Sequence, residues 1–126
     1  MTADTWGVSL YVLNAALLFT HQIDSAYWRE WELFHLPGGA QLNLLLNFVL
    51  LLIALVGFSL LLQGRTAGYV FALIVAGGGI FAFAIHAYFL LRGDSRFRLP
   101  MSIGLLIASL LVSVVQGVLA IGALAG

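Results

Sequence analysis

Four long apolar stretches account for most of this chain and constrain its fold more than any other feature. They run over about 6–23, 42–63, 67–91 and 100–125, and each approaches the roughly 20 residues that a helix needs to cross a bilayer. A soluble domain of 126 residues could not bury a chain that is 63% hydrophobic and 8% charged. The sequence therefore predicts one integral membrane domain, residues 1–126, with the lipid bilayer as its partner.

The connections between these stretches indicate how the helices are arranged. A Gly-Arg-Thr turn at 64–66 is short enough to join two antiparallel helices. The longer link 92–99 ends at Pro100, and proline is favoured in the first turn of a helix. We therefore expect an all-α membrane protein, a four-transmembrane-helix up-down bundle.

The connection between the first and second stretches has a different character. The segment Ser25–His35 is too polar to span a membrane, because aromatic residues alternate there with charged ones. Such a pattern is typical of a helix lying at headgroup depth, and the Pro-Gly-Gly sequence at 37–39 ends it. The sequence thus predicts an interfacial helix between spans 1 and 2.

The distribution of arginines predicts the orientation in the membrane. Arg29, Arg92, Arg96 and Arg98 lie on one predicted side and Arg65 on the other. Positively charged loops favour the cytoplasm, so both termini are expected to be extracytoplasmic. The formal net charge is zero and lysine is absent, which argues against nucleic acid as a partner.

Polar residues are expected to converge at the cytoplasmic edge of this bundle. His21 and Asp24 lie near the end of span 1, and Asn43 and Asn47 lie one turn apart near the start of span 2. His86 lies about a turn inside the end of span 3, so the alternating topology places all of them at a similar depth. Ionisable groups at a bilayer edge are costly to desolvate, which makes this cluster a functional-site hypothesis.

One interpretation of the cluster is a metal site. His21-x-x-Asp24 and Glu32-x-x-His35 each place an imidazole and a carboxylate on one helical face, and His86 is a fifth candidate ligand. Glu30 together with His86 would complete such a ligand set. A Glu-x-x-His pair from each of two helices is the ligand pattern of di-iron bundles. Because the chain has no cysteine, imidazole and carboxylate ligands would favour iron, manganese or zinc.

A second interpretation is acid–base chemistry. His21, Asp24, Glu30 and His86 are the candidate catalytic groups, because imidazoles and carboxylates at an apolar boundary can exchange protons near neutral pH. The substrate would be lipid-like or a small apolar molecule. Asn43 and Asn47 are expected to orient a bound cofactor by hydrogen bonds.

The alternative is a non-catalytic membrane module in which the cluster is a structural hydrogen-bond network. The small residues Ser109, Ser113 and Gly117 would then form a face for helix packing or a homo-oligomer. A transport role is a further possibility, since small multidrug exporters resemble this chain in length and topology. Those proteins use a glutamate within helix one, whereas the polar residue in the middle of this span is Asn14.

The string at 21–34, HQIDSAYWREWELF, resembles the signature of a bacterial family of small four-helix membrane proteins of unknown function. That family has a His-Glu-Ile-Asp start and a Tyr-Trp-x-Glu-Trp stretch, and this chain differs by having Gln22 in place of the glutamate. The resemblance implies a multi-pass protein of the cell inner membrane and a bacterial source. It implies no activity.

Overall fold

The computed structural model describes residues 5–95 and 98–126, and every element of regular structure in that part of the chain is a helix. An all-helical fold is therefore confirmed. Five helices follow one another, four of them long: α1 Thr5–Tyr27, α2 Glu30–Leu33, α3 Gly39–Leu62, α4 Thr66–Leu91 and α5 Pro100–Ala125.

Three of these helices, α3, α4 and α5, are long and apolar enough to cross a membrane. They correspond to the second, third and fourth predicted spans. The helix α1 does not reach the same apolar character, because Asn14, His21, Gln22 and Asp24 interrupt it. Three of the four expected spans are thus supported by composition and length.

The long helices pack side by side in alternating directions. Tight glycine contacts define the α3–α4 pair, where a Cβ atom on Gly68 would lie 2.6 Å from the Leu61 backbone. The α4–α5 pair is close at Gly79, where an added Cβ would collide with the Ser113 hydroxyl. The helix α1 contacts α3, α4 and α5, so it lies against all three apolar helices.

Polar side chains connect the helices in the interior. The Tyr11 hydroxyl donates to the carbonyl oxygen of Ala54 at 2.6 Å, and Asn14 Nδ2 donates to Ser113 Oγ at 3.0 Å. Gln116 Nε2 donates to the carbonyl oxygen of Ala72 at 2.7 Å. Inward-facing polar groups of this kind hold membrane helices together where no hydrophobic force acts between them.

The outer surface is largely apolar. In α3 only Ala54, Gly57 and Leu61 are buried, while many of its leucines are exposed. An apolar exterior around a partly polar interior is the arrangement expected for helices surrounded by lipid. Ser109 and Ser113, predicted to lie in an oligomer face, are buried within the chain. An oligomer would have to use other surfaces.

The predicted interfacial helix is much shorter in the structure than in the sequence analysis. The helix α1 continues to Tyr27, and α2 has only four residues. Arg29 lies between them with a φ of 54°, in the left-handed region, and His35 has the same φ after α2. These two residues interrupt a helix that was expected to run through Ser25–His35. Arg96, one of the arginines used to predict orientation, lies outside the described residues.

Candidate metal site

Two histidines from different helices meet in the interior. His21 lies on α1 and His86 on α4, and their side chains are 4% and 1% exposed. Their ring centroids are 4.7 Å apart with the rings nearly perpendicular. Because α1 and α4 run in the same direction, residues near the carboxyl ends of both helices reach the same depth.

Glu30 joins the histidines from the short connecting helix. It is the first residue of α2, and the left-handed turn at Arg29 redirects the chain so that its side chain points toward α4. Glu30 Oε1 lies 3.2 Å from His86 Nε2, and the Ser25 hydroxyl donates to Glu30 Oε2. The carboxylate therefore contacts both α1 and α4.

The three side chains form a compact set of ligand atoms. One nitrogen or oxygen of each of His21, Glu30 and His86 lies within 4.8 Å of the other two. Metal–ligand bonds of about 2.1 Å place neighbouring ligands of a tetrahedral ion about 3.4 Å apart, close to the 3.2 Å between Glu30 Oε1 and His86 Nε2. Two imidazoles and one carboxylate are a donor set typical of iron(II), manganese or zinc.

The electrostatic surroundings keep the Glu30 carboxyl ionised. Burial raises its pKa, but the contacts with His86 and Ser25 and the charges of His86 and His21 lower it by more. The pKa of Glu30 is therefore below its ordinary value. The ionised carboxylate is the form in which Glu30 could coordinate a metal.

Three other residues predicted as ligands do not belong to this cluster among the described residues. Asp24 Oδ1 accepts a hydrogen bond from Trp28 Nε1 at 3.0 Å. Glu32 is exposed and pairs with Arg29 at 2.6 Å. His35 is also exposed. Of the predicted ligands, the structure brings together His21 and His86. Glu30 joins them; it was predicted as a catalytic group and as a residue that would complete the ligand set.

An apolar cavity of about 330 Å³ begins at the cluster and extends between α1, α3 and α4. His21, Gln22 and Glu30 line one part of it. The rest is apolar, including Phe19, Ala54 and Val75. Exposed side chains on α3 and α4, such as Leu50, Ile74 and Phe81, also border the cavity. This cavity was not predicted from the sequence, because its apolar lining residues have no spacing that sets them apart from the other apolar residues of the helices.

A second, smaller cavity of about 150 Å³ lies between α2 and the start of α3. Asn43 and Asn47, predicted to orient a cofactor, line this cavity together with Trp31. Asn47 Nδ2 donates to the carbonyl oxygen of Asn43 at 2.8 Å. The two amides thus line the smaller cavity, which shares Glu30 with the large one, and they do not line the large cavity.

The fold and this cluster describe a small helical protein of membrane character with a His/Glu site. The chain belongs to DUF6713, a family of unknown function, whose match covers residues 8–123. The comparison with curated proteins gave no match, and neither did the comparison with solved structures. Family membership agrees with the expected likeness to a family of unknown function and assigns no chemistry to the cluster.

Proposed function

We propose that this protein is a four-span inner-membrane protein that binds one divalent transition metal through His21, Glu30 and His86. The metal would act on a lipid-like or small apolar substrate. The observation that carries the proposal is the meeting of three ligand atoms from three separate helices within 4.8 Å. Buried histidines and carboxylates at a membrane edge are costly unless they have a partner or a function.

The donor set favours iron(II) among the candidate metals. Two histidines and one carboxylate leave several coordination positions open, which is the arrangement of non-haem iron(II) sites that take up further ligands. Manganese and zinc also accept these donors. The bound metal would supply Lewis acidity to a polar group of the substrate, while Ser25 holds the Glu30 carboxylate in position.

We place α1 in the bilayer as the fourth span. Its 23 residues correspond to a length of about 34 Å at 1.5 Å per residue, enough to cross the hydrocarbon core. Its polar residues Asn14, His21 and Ser25 are buried against the other helices, away from lipid. The arginine bias then places the metal site at the cytoplasmic edge and both termini outside.

The test is a cobalt(II) titration of the metal-depleted protein in lipid nanodiscs. Cobalt(II) accepts the same ligands and shows visible absorption bands that report its coordination. We expect saturation at one ion per chain, and loss of the bands in His21→Asn, Glu30→Gln and His86→Asn. Glu32→Gln and His35→Asn are matched controls that should keep them. Equal binding by all six proteins would refute the site.

A second candidate, the non-catalytic module, is favoured by one specific observation. The Glu30 carboxylate already has partners within the chain, the Ser25 hydroxyl and His86 Nε2. This network could serve only to hold α2 against α1 and α4. In that case Glu30→Gln would lower the stability of the protein, and the wild type would bind no cobalt(II) at micromolar concentration.

A further inference from the structure

The helix α3 packs tightly against the other helices over only part of its length. Its first buried residue is Ala54, and none of the residues 39–53 is buried. Beyond Ala54 the contact with α4 is close, because a Cβ atom added at Gly57 would collide with the Phe71 side chain. Leu50 and Ala54 both line the apolar cavity. The cavity therefore lies where the tight packing of α3 ends.

The apolar cavity opens toward the surrounding lipid between α3 and α4. Ile74, Gly78 and Phe81 follow one another at intervals of about one turn on α4, line the cavity and are exposed. Leu50 is an exposed lining residue on α3. The inner wall is buried and includes Ala54. A hydrocarbon chain can therefore enter from the bilayer without passing through water.

The polarity of the cavity changes along its length. Its polar lining residues, His21, Gln22 and Glu30, lie at the end near the proposed metal site, and its other lining residues are apolar. Along α4 the lining extends from Ile85, beside the metal site, to Ile74, which corresponds to about 16 Å at 1.5 Å per residue. One leaflet is about half of a hydrocarbon core of roughly 30 Å. The cavity thus matches one leaflet in both depth and polarity.

The size and lining of the cavity favour a hydrocarbon occupant. Apolar cavities do not hold water, because a water molecule there has too few polar partners. An empty cavity would lose the dispersion contacts of its lining atoms. The volume of about 330 Å³ is at the lower end of the range for small-molecule sites, roughly 300–1,000 Å³. These properties suit a single chain.

We infer that the apolar cavity binds one hydrocarbon chain of a lipid from the surrounding leaflet, which enters sideways between α3 and α4 with its polar end toward the metal site. The chain would lie parallel to its neighbours in the bilayer, with its first carbon atoms beside His21 and Glu30 and its far end beside Ala54. Binding of the chain needs no metal. Its role as the substrate rests on the proposed function.

Ala54 and Ala76 provide matched positions for the test. Both are buried alanines, at 7% and 2% exposure, and they lie equally many residues from the ends of their helices on the metal side. Ala54 lines the apolar cavity. Ala76 lines neither cavity and faces α5, where a Cβ added at Gly117 would lie 3.8 Å from the Ala76 Cβ. A lipid chain should therefore reach Ala54 through the cavity and should not reach Ala76.

The experiment uses the protein in nanodiscs that contain a phospholipid with a diazirine at the end of one acyl chain. On illumination the diazirine loses nitrogen and forms a carbene, which inserts into neighbouring C–H bonds, and fragmentation mass spectrometry locates the adducts. We expect labelling of Ala54 at least tenfold above that of Ala76, with or without metal. Equal labelling of the two alanines would overturn the inference.

Gly78 and Gly77 provide a matched pair of variants. A Cβ added at Gly78 would have only Leu18 Cδ1 within 4 Å, at 4.0 Å, so Gly78→Leu places a side chain at the cavity opening. A Cβ added at Gly77 has nothing within 4 Å, and Gly77 lines neither cavity.

We expect Gly78→Leu to reduce the labelling of Ala54 at least fivefold and Gly77→Leu to preserve it. Equal labelling in the two variants would show that the chain does not enter at Gly78. The comparison of Ala54 with Ala76 in the wild type needs no variant, so it decides the inference even if Gly78→Leu does not fold.

A second phospholipid, with the diazirine next to the acyl carbonyl group, tests the direction of the chain. Ala82 and Val75 are buried lining residues of α4, and Ala82 lies about two turns nearer the metal site. We expect the probe near the carbonyl group to label Ala82 and the probe at the chain end to label Val75. The reverse order would overturn the orientation of the polar end toward the metal.

The outcomes separate this inference from the proposed function. Labelling of Ala54 without any cobalt(II) binding would refute the metal site and support the cavity as a site for a lipid chain. Binding of cobalt(II) without labelling of Ala54 would support the metal site and overturn the lipid chain as the occupant of the cavity.

Discussion

Glu30 Oε1 lies 3.2 Å from His86 Nε2, and this contact connects the short helix α2 to the interior end of α4. His86 is almost completely buried, at 1% exposure. Glu30 therefore reaches it only because α2 lies beside the end of α4. The contact depends on the left-handed turn at Arg29. Together with His21 it creates the one group of three clustered metal-ligand residues in the described part of the chain.

The lowered pKa of Glu30 predicts a pH dependence of stability in the metal-free protein. A carboxyl whose pKa is lower in the folded state stabilises the fold above its unfolded pKa, and that contribution is lost as the pH falls through the folded pKa. We expect stability to fall below about pH 4.5, the ordinary pKa of a glutamate, with a smaller loss in Glu30→Gln. Denaturation in detergent followed by circular dichroism measures this.

Glu32→Gln is the control for that experiment, since Glu32 is exposed and pairs only with Arg29 among the ion pairs of the described residues. Its pH profile should match that of the wild type. If Glu30→Gln and the wild type lose stability in parallel, the ionised Glu30 carboxylate contributes nothing to the fold.

Helix packing at Gly79 gives a second prediction. A Cβ at this position would collide with the Ser113 side chain and approach the Ser109 carbonyl oxygen at 3.2 Å. We expect Gly79→Ala to destabilise the protein by about 1 to 3 kcal/mol, as for other overpacked sites. Gly77→Ala should be neutral or stabilising by up to about 1 kcal/mol, because nothing lies within 4 Å of its added Cβ.

The measurement is the free energy of unfolding in mixed micelles with increasing sodium dodecyl sulfate. Equal stabilities of Gly79→Ala and Gly77→Ala would show that α4 and α5 are not in close contact at Ser113.

The hydrogen-bonded pair Asn14 and Ser113 predicts a measurable coupling between α1 and α5. Their side chains exchange hydrogen bonds at 3.0 and 3.3 Å in the buried interior. In a double-mutant cycle with Asn14→Ala and Ser113→Ala, we expect a coupling energy of about 0.6 kcal/mol and at most about 1.7 kcal/mol, as between other membrane helices. If the two substitutions change the free energy of unfolding additively, Asn14 and Ser113 do not interact, and the contact between α1 and α5 at this position is wrong.

The proposed fourth span can be tested because the chain contains no cysteine. Single cysteines at Thr5, Ser95 and Gly126 can each be labelled with a membrane-impermeant maleimide in intact cells. If α1 crosses the membrane, Thr5 and Gly126 react from outside and Ser95 does not. A Thr5 cysteine that is protected together with Ser95 would show that α1 does not cross, and labelling of Ser95 alone would reverse the orientation.

Hydropathy predicted the positions of the long helices well because membrane helices need continuous apolar segments. The expected spans at about 42–63, 67–91 and 100–125 are close to α3, α4 and α5. The alternating direction of the helices also predicted that His21 and His86 lie at the same depth, and their rings are 4.7 Å apart in the structure. The first predicted span is not among the helices apolar enough to cross a membrane. Its residues Asn14, His21 and Ser25 are buried against the other helices, but hydropathy depends on composition alone and does not distinguish buried polar residues from exposed ones.

The ligand set was less predictable than the helices. The pairing of Glu32 with His35 assumed that one helix continued through both residues, but α2 ends at Leu33 and His35 adopts a left-handed conformation. Glu30 entered the cluster because Arg29 also adopts that conformation. Left-handed backbone at arginine has no sequence signal, and histidine is enriched there only relative to other non-glycine residues, whereas glycine at such a position would give a strong signal.

Elemental analysis of the purified protein tests whether His21, Glu30 and His86 hold a metal. The wild type should be compared with His86→Ala and with His35→Ala, which removes an exposed histidine outside the cluster. We expect close to one iron, manganese or zinc per chain in the wild type and in His35→Ala, and almost none in His86→Ala. A folded wild type without metal after anaerobic reconstitution, or a metal content unchanged in His86→Ala, would contradict the metal site.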